Sequence, residues 1–376
     1  MVIALLAESL DPARGGAERA IRATARALAR RGEVVLYAPA DRIGPPEPGI
    51  EIVAVDVRGT GAIRARALAR VLSERARERG GTLVACGKIL GADVVWSHGG
   101  VHAAARRAAA LAGRSALGGA VARAARALRP VERVFDAIER ANVEAARRGE
   151  LVWVALSDRV ARDLAARHHL TGVPVVRNGV ELSRFGARRD GGARHVRALF
   201  VAHAFALKGL DRALRALVHA PSVRLEVVGR GAPRPFERLA RKLGVASRVV
   251  FVGGVAEVAS RLAEADVLVH PTRYDPCSLV VLEALAASVP VVVSREDGAS
   301  EIVGDGGFVL DDPDDPREVG ERLESLSDPS LRDRLSRAAR REARSTDACA
   351  EELLALLPSK KEGRRRASPP SGARPG

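Results

Sequence analysis

Aromatic residues are scarce: Phe, Trp and Tyr together make up 3% of the chain. Single-strand nucleic-acid binders stack bases on aromatic platforms, so that class is disfavoured even though the net charge is +15. Three cysteines occur, Cys86, Cys277 and Cys349, widely spaced and without a CxxC pair. This argues against a disulfide framework or a structural metal site and for a reduced, cytoplasmic protein. No apolar run approaches the roughly 18 residues that a spanning helix needs. The opening Met1-Val2-Ile3-Ala4-Leu5-Leu6-Ala7 has no basic flank and meets Glu8 at once, so it reads as a first strand and not as an export signal. The turn after it lacks GxGxxG, which disfavours a dinucleotide oxidoreductase. No DxD-like pair of carboxylates stands in a suitable loop, so no metal and no cofactor is expected.

What is present fits a folded, two-domain chain. Its 376 residues are 47% hydrophobic and 28% charged, enough for two cores of ordinary size. The basic residues are almost all Arg. They are either a field that attracts an anionic partner, or solvated Arg spread over Ala-rich helices by codon preference. If the charge is used, an anionic membrane surface or glycolipid is the partner it suits, and nucleic acid is not.

Strand and helix alternate along most of the chain. Strands are expected at Met1 to Ala7, Glu33 to Ala38, Ile52 to Val57, Thr82 to Cys86, Asp93 to His98 and Leu151 to Leu156. Helices are expected after Gly16, ending near Arg31 with Gly32 as the C′ residue, over Ile63 to Arg79, and over Asp158 to His168 behind Ser157 as N-cap. A second series follows: strands Ala198 to Ala202, Arg224 to Val228, Val249 to Val252 and Ala265 to Val269, with helices at 235–243, 279–285 and 316–326. Such alternation predicts α/β architecture, a doubly wound parallel sheet in each half. Between Val101 and Arg148 the alternation lapses. Leu117, Val121, Leu128, Val131, Phe135 and Ile138 form an apolar face with Arg114, Arg123, Arg126 and Arg133 off it: a domain helix, or one lying on an anionic membrane. GARRDGGAR, from Gly186, reads as a linker, and the charged, Pro/Gly-rich tail from Lys360 as disordered.

The stretch His270 to Pro290, HPTRYDPCSLVVLEALAASVP, organises the rest. Its loop joins the carboxyl end of a strand to the amino end of a helix, where ligands bind in open α/β sheets. Unpaired N–H groups of Cys277, Ser278 and Leu279 and the helix dipole would there suit a phosphate. Asp275 and Glu283 stand eight positions apart. A carboxylate repels phosphate, so Glu283 should serve another group of the same ligand, the paired hydroxyls of a ribose, with Asp275 at the ligand's far end. The plainer alternative is a turn residue and an exposed helix face.

This string resembles the E-x7-E segment of family-4 retaining glycosyltransferases. GGAER after the first strand is similar to that family's GGxE/R, DVVWSH to its DVVHxH, and Asn178-Gly179-Val180-Glu181 running to Phe185 to its xNGVDxxxF. Lys208-Gly209 matches R-x4-K-G, with His203 in place of the Arg. Together with GKxxGxDV at Gly87 to Val94, Lys208-Gly209-Leu210-Asp211-Arg212 is nearest to the lipopolysaccharide-core hexosyltransferase branch.

The resemblance implies a GT-B fold of two Rossmann-like domains facing a cleft. Residues 1–185 would take the acceptor and 197–358 the nucleotide sugar, with 186–196 as linker and 359–376 as tail. It implies metal-independent retaining transfer of a hexose, from a donor such as a UDP-hexose, to a glycolipid or polysaccharide such as lipopolysaccharide core. The protein would sit in the cytoplasm or peripherally on the inner membrane's cytoplasmic face. His98, with His102 as fallback, and Asp275 would orient the transferred sugar. Gly15 and Gly16 would face the diphosphate, and Lys208 would hold it, with Arg230 compensating for the charge missing at His203. Gly254 and Val255 would meet the base, Cys277, Ser278 and Leu279 the phosphate or sugar, and Glu283 the ribose. Asp275 is one methylene shorter than the family's Glu. Alternatives are a GT-B epimerase or phosphorylase, or a non-catalytic, membrane-associated binding protein with a degenerate site.

Overall fold

A computed structural model describes residues 2–112, 118, 121, 122, 125, 127–186 and 195–358. Six strands form a first sheet: β1 (Val2–Leu6), β2 (Glu33–Pro39), β3 (Glu51–Val55), β4 (Thr82–Ala85), β5 (Val94–Trp96) and β6 (Val152–Val154). Six more form a second: β7 (Val196–Val201), β8 (Val223–Val228), β9 (Val249–Gly253), β10 (Val267–His270), β11 (Val291–Ser294) and β12 (Gly307–Leu310). The orders are β3-β2-β1-β4-β5-β6 and β12-β11-β10-β7-β8-β9, so the second sheet repeats the first when read from its own first strand. Every pairing between these strands is parallel. Parallel strands covered by helices on both faces are buried on both, which is why β10 and β11 read as unbroken apolar runs and not as alternating ones.

In each sheet the strand order reverses once, between β1 and β4 and between β7 and β10. Loops leaving adjacent strands at such a point diverge to opposite faces and open a crevice. Here the loops after β1, β7 and β10 lie against one another across the two halves.

The helix Gly16–Ala29 ends earlier than expected. Its cap Arg30 stays right-handed, and Gly32 is not among the residues with positive φ, so Gly32 is not a C′ glycine. Behind Ser157, whose hydroxyl accepts from the Val160 N–H at 3.2 Å, the helix Asp158–His168 forms as the cap signal predicts. The last helix, Thr346–Ala355, crosses back to the first half, where Arg31 meets Asp347 at 3.1 Å and Val180 bridges Ser345. A linear division at the linker does not foresee that return.

In the segment from Val101 to Arg148, helices run over His102–Leu111 and Pro130–Arg147. Ile138 of the expected apolar face is buried, whereas Val121 and Leu128 are 63% and 69% exposed. Arg114, Leu117, Arg123 and Arg126 lie outside the described residues, as do 187–194 of the linker and the tail from 359.

Candidate active site

The loop after β10 is shaped by its own residues and held by both halves. The Thr272 hydroxyl donates to the Tyr274 carbonyl at 3.1 Å and accepts from the Tyr274 N–H at 3.3 Å, closing a tight turn. From the first half, the Val101 N–H donates to the Tyr274 hydroxyl at 3.1 Å. Ser157 donates to the Pro276 carbonyl at 2.7 Å, and Asn178 to the Cys277 carbonyl at 3.4 Å. Gly100, at φ +63°, makes the first of these possible: a Cβ there would stand 2.3 Å from the Tyr274 hydroxyl.

Behind the loop lies a buried cluster of charge. The Lys208 ammonium sits 2.5 Å from Asp275 and 3.3 Å from the Tyr274 carbonyl. Gly209, left-handed at φ +81°, turns the chain under the β10 loop directly after Lys208. Burial raises the Asp275 carboxyl's proton affinity, but the Lys208 charge and the adjacent His270 outweigh it and hold the group well below the usual carboxylate range. Asp297, fully buried, moves the other way, pushed up by burial and then by the charge of Asp275. The His270 imidazole, 1% exposed, lies 3.9 Å from Asp275 and 3.7 Å from Asp297, and neither ring nitrogen has a hydrogen-bond partner. These three side chains could together reach one cation. The cation against one of them, Asp275, is the Lys208 ammonium.

At the amino end of the helix Leu279–Ala286 the expectation of open amides is corrected for Cys277 and Ser278. Cys277 N–H donates to Asp275 at 3.2 Å and Ser278 N–H to Asp297 at 3.1 Å, and the Ser278 hydroxyl also donates to Asp297. Buried donors near a helix start take the nearest anion, and here two carboxylates of the same chain supply it. Gly16 faces this end across the gap, where a Cβ on it would lie 3.2 Å from that of Leu279, whereas a Cβ on Gly15 would meet Glu18 of the same helix.

Glu283 is not the exposed helix residue of the plainer reading: it is 7% exposed and points into the gap toward Arg19, 3.4 Å away. Its second oxygen has no partner. Burial raises its proton affinity, and Arg19 and then Arg184 partly oppose that.

His98 follows β5. Both its ring nitrogens are shut from solvent and unpartnered, its ring meets Trp96 edge-on at 4.3 Å, and burial pushes its pKa down to about 3. It is therefore a neutral imidazole with two idle polar atoms. His102 is engaged elsewhere: its Nε2 lies 2.8 Å from Glu132 and its backbone N–H donates to Glu139 at 2.6 Å.

At the mouth of the gap, a cleft of about 400 Å³ is lined by Asp11, Ala13, Arg14, His203 and Arg230. His203 Nδ1 accepts the Arg230 N–H at 3.2 Å, so its remaining proton sits on Nε2. Burial and the Arg230 charge lower its proton affinity. Gly254 packs under the Arg230 side chain, and the half-buried Val255 lies one residue beyond it.

Sequence reasoning quoted His270, Arg14, Arg19 and Tyr274 within their segments but gave them no role, and passed over Asp297. The position of Asp297, just past a buried strand adjacent to β10, was the available signal for that residue.

Comparison with known proteins adds the following. Residues 193–342 match the family model "Glycosyl transferases group 1". Lipopolysaccharide glucosyltransferase WaaG of Escherichia coli (strain K12) is 37% identical over 151 residues, 38% of this chain and 40% of that protein, so the match spans less than half of the relative's length. The crystal structure of WaaG superposes with a TM-score of 0.76 at 24% identity, over 94% of this chain and 99% of the other. That of Anabaena HepE in complex with UDP and glucose superposes at 0.67 with 17% identity, over 94% and 98%.

Proposed function

We propose that this chain, whose residues 193–342 are a group 1 glycosyltransferase domain and whose two sheets have the GT-B fold, transfers a hexose with retention from a nucleotide sugar to a glycolipid or saccharide acceptor. A UDP-hexose is the donor and a lipopolysaccharide-core type of glycan the acceptor. WaaG, by its name, glucosylates lipopolysaccharide, and HepE holds UDP and glucose. The single observation that carries the reading is the Lys208 ammonium on Asp275, beside a helix start that faces Gly16.

In that scheme the diphosphate lodges between Gly15-Gly16 and Leu279, and Cys277 and Ser278, whose N–H groups Asp275 and Asp297 hold, border it without donating to it. Lys208 and Arg230 neutralise it, with the His203 Nε2–H as a neutral donor, so departure of the nucleotide needs no metal ion. Glu283 exchanges Arg19 for the ribose hydroxyls, Gly254 and Val255 border the base, and His98 and Asp275 orient the hexose. The acceptor hydroxyl attacks on the face from which the phosphate leaves, and a phosphate oxygen takes its proton.

Val121 and Leu128 stand exposed in an Arg-rich segment, and no helix of the described residues is long and apolar enough to cross a membrane. Both features suit a protein held peripherally on an anionic membrane, at the cytoplasmic face, where a lipid-linked acceptor would be met.

The test is direct. A panel of UDP-, GDP- and ADP-hexoses is screened by melting temperature, and the donor that raises it is incubated with a core-type glycolipid. An α-linked product from an α-linked donor supports the reading. No stabilisation by any donor sinks it.

A further inference from the structure

Three loops of the first half leave the carboxyl ends of the neighbouring strands β1, β4 and β5, and they carry Glu8, Lys88 and His98 in turn. The scheme above uses His98 and leaves Lys88 without a task. The Lys88 loop is fixed from three sides. The Lys88 N–H donates to Glu8 at 2.7 Å, Asn142 donates to the Ile89 carbonyl at 2.9 Å, and the Leu90 N–H donates to the Ala69 carbonyl at 2.6 Å.

The Lys88 side chain is held as well, but by no anion. Its ammonium lies 4.8 Å from the centre of the Phe135 ring, and among the described residues it has neither a hydrogen bond nor an ion pair. Glu132, Asp136 and Glu139 act with Lys88 on His102, yet each has a nearer partner. Glu132 lies 2.8 Å from His102 Nε2, Asp136 accepts from Arg106 at 2.6 Å, and Glu139 accepts the His102 N–H at 2.6 Å and meets His168 at 2.9 Å. Glu8 is already engaged by the Lys88 backbone.

The position of this charge says what it could meet. Gly99 beside it is exposed, and a Cβ there would stand 3.7 Å from the Lys88 Nζ, so that a longer side chain would cover the ammonium. Gly99 follows His98 and precedes Gly100, against which Tyr274 and Pro276 of the β10 loop pack. The cation therefore stands beside the loop of His98, on the half opposite Lys208 and Arg230. An ammonium that is half-buried gives up hydration that no fixed anion here returns, while the aromatic face under it keeps it in one place.

We propose that Lys88 selects the acceptor: its ammonium grips an acidic substituent, a phosphate monoester or a sugar carboxylate, on the glycan that presents the attacking hydroxyl at His98. The inference rests on the transferase reading and deepens it, from a glycolipid or saccharide acceptor to an acidic one. An ammonium is a point charge without the fork of a guanidinium, so its chemistry suits either anion.

One core-type glycolipid that bears both phosphates and sugar carboxylates supplies four acceptors: untreated, dephosphorylated, carboxyl-reduced, and treated both ways. Each is offered in neutral detergent with saturating donor for KM and kcat, and with UDP alone for binding. Removing the anion that Lys88 reads should raise KM about tenfold to a hundredfold, the worth of one charge-assisted hydrogen bond, and kcat should change far less. Whichever single treatment does so names the anion. In Lys88→Met, which keeps an apolar stem on Phe135, acidic and neutral acceptors should have the same KM, with donor affinity unchanged. Lys88→Arg should restore most of the preference. Arg140→Gln removes an exposed charge from the helix that carries Phe135 and should keep it, which separates Lys88 from the protein's general positive field. Equal KM for acidic and neutral acceptors in the unmodified protein overturns the inference, as does a preference that Lys88→Met retains. If no acceptor is glycosylated by a donor that binds, the transferase reading falls. Acid-selective binding that Lys88→Met abolishes would then still uphold the Lys88 site, and its absence would end it.

Discussion

Arg19, on the first helix of one half, lies 3.4 Å from Glu283, on the helix of the other half that follows the β10 loop. The pair spans the gap and leaves one oxygen of a 7% exposed carboxylate without a partner. A carboxyl buried and half-satisfied in such a place costs stability. It is therefore a candidate for holding a ligand rather than the fold.

Glu283→Gln separates the two roles. The amide removes the buried charge, so the melting temperature should stay level or rise. Donor affinity should fall about tenfold to a hundredfold, the worth of one or two charge-assisted hydrogen bonds to ribose. Calorimetry with UDP-glucose and a melting curve check both. A lower melting temperature with unchanged affinity would make the pair a plain interdomain tie.

Lys208 and Asp275 should behave as a coupled unit. Lys208→Met strands a buried carboxylate and should cost about 1–3 kcal/mol of stability. Adding Asp275→Asn removes the stranded charge, so the double variant should be more stable than Lys208→Met alone while remaining inactive. Denaturant unfolding of the two single variants and the double closes the cycle. Simple additivity would mean that the 2.5 Å contact carries no coupling.

These residues also show how far the sequence could be read. Both parallel sheets follow from strand–helix alternation, because a strand buried on two faces must be apolar throughout. Lys208, Asp275, Glu283 and His98 were singled out by the resemblance of their motifs to those of family-4 glycosyltransferases, since the spacing alone fits plain turn and helix residues as well. Spacing cannot record which other side chains those residues touch. Asp297 lies nineteen positions beyond Ser278, and only the adjacency of β10 and β11 brings its carboxylate to the helix start. The return of Thr346–Ala355 to the first half was hidden for the same reason: its partners Arg30 and Arg31 are more than three hundred residues away.

Chelation is the next test. His270, Asp275 and Asp297 could reach one cation, but Lys208 already lies against Asp275 and would repel a divalent ion. Transfer should therefore persist after exhaustive EDTA treatment and dialysis. Activity lost with EDTA and recovered on adding Mg2+ or Mn2+ would overturn the metal-independent scheme.

His98 makes a prediction about pH as well as turnover. Its pKa in the folded protein is pushed down to about 3, whereas the unfolded chain's histidine titrates near 6.5. Between those values the unfolded state binds a proton that the folded state does not, so stability falls as pH is lowered from 6.5. One such group contributes at most about 1.4 kcal/mol per pH unit. His98→Gln should thus lose less stability than the unmodified protein between pH 7 and pH 5, a window above the range where ordinary carboxylates protonate. Urea unfolding at the two pH values measures the difference. The same variant should bind UDP-glucose but transfer poorly, because an unpartnered neutral imidazole is what a sugar hydroxyl would find there. Equal acid sensitivity in both proteins would mean that His98 is reached by water and is not the closed polar group on which its proposed sugar-orienting role depends.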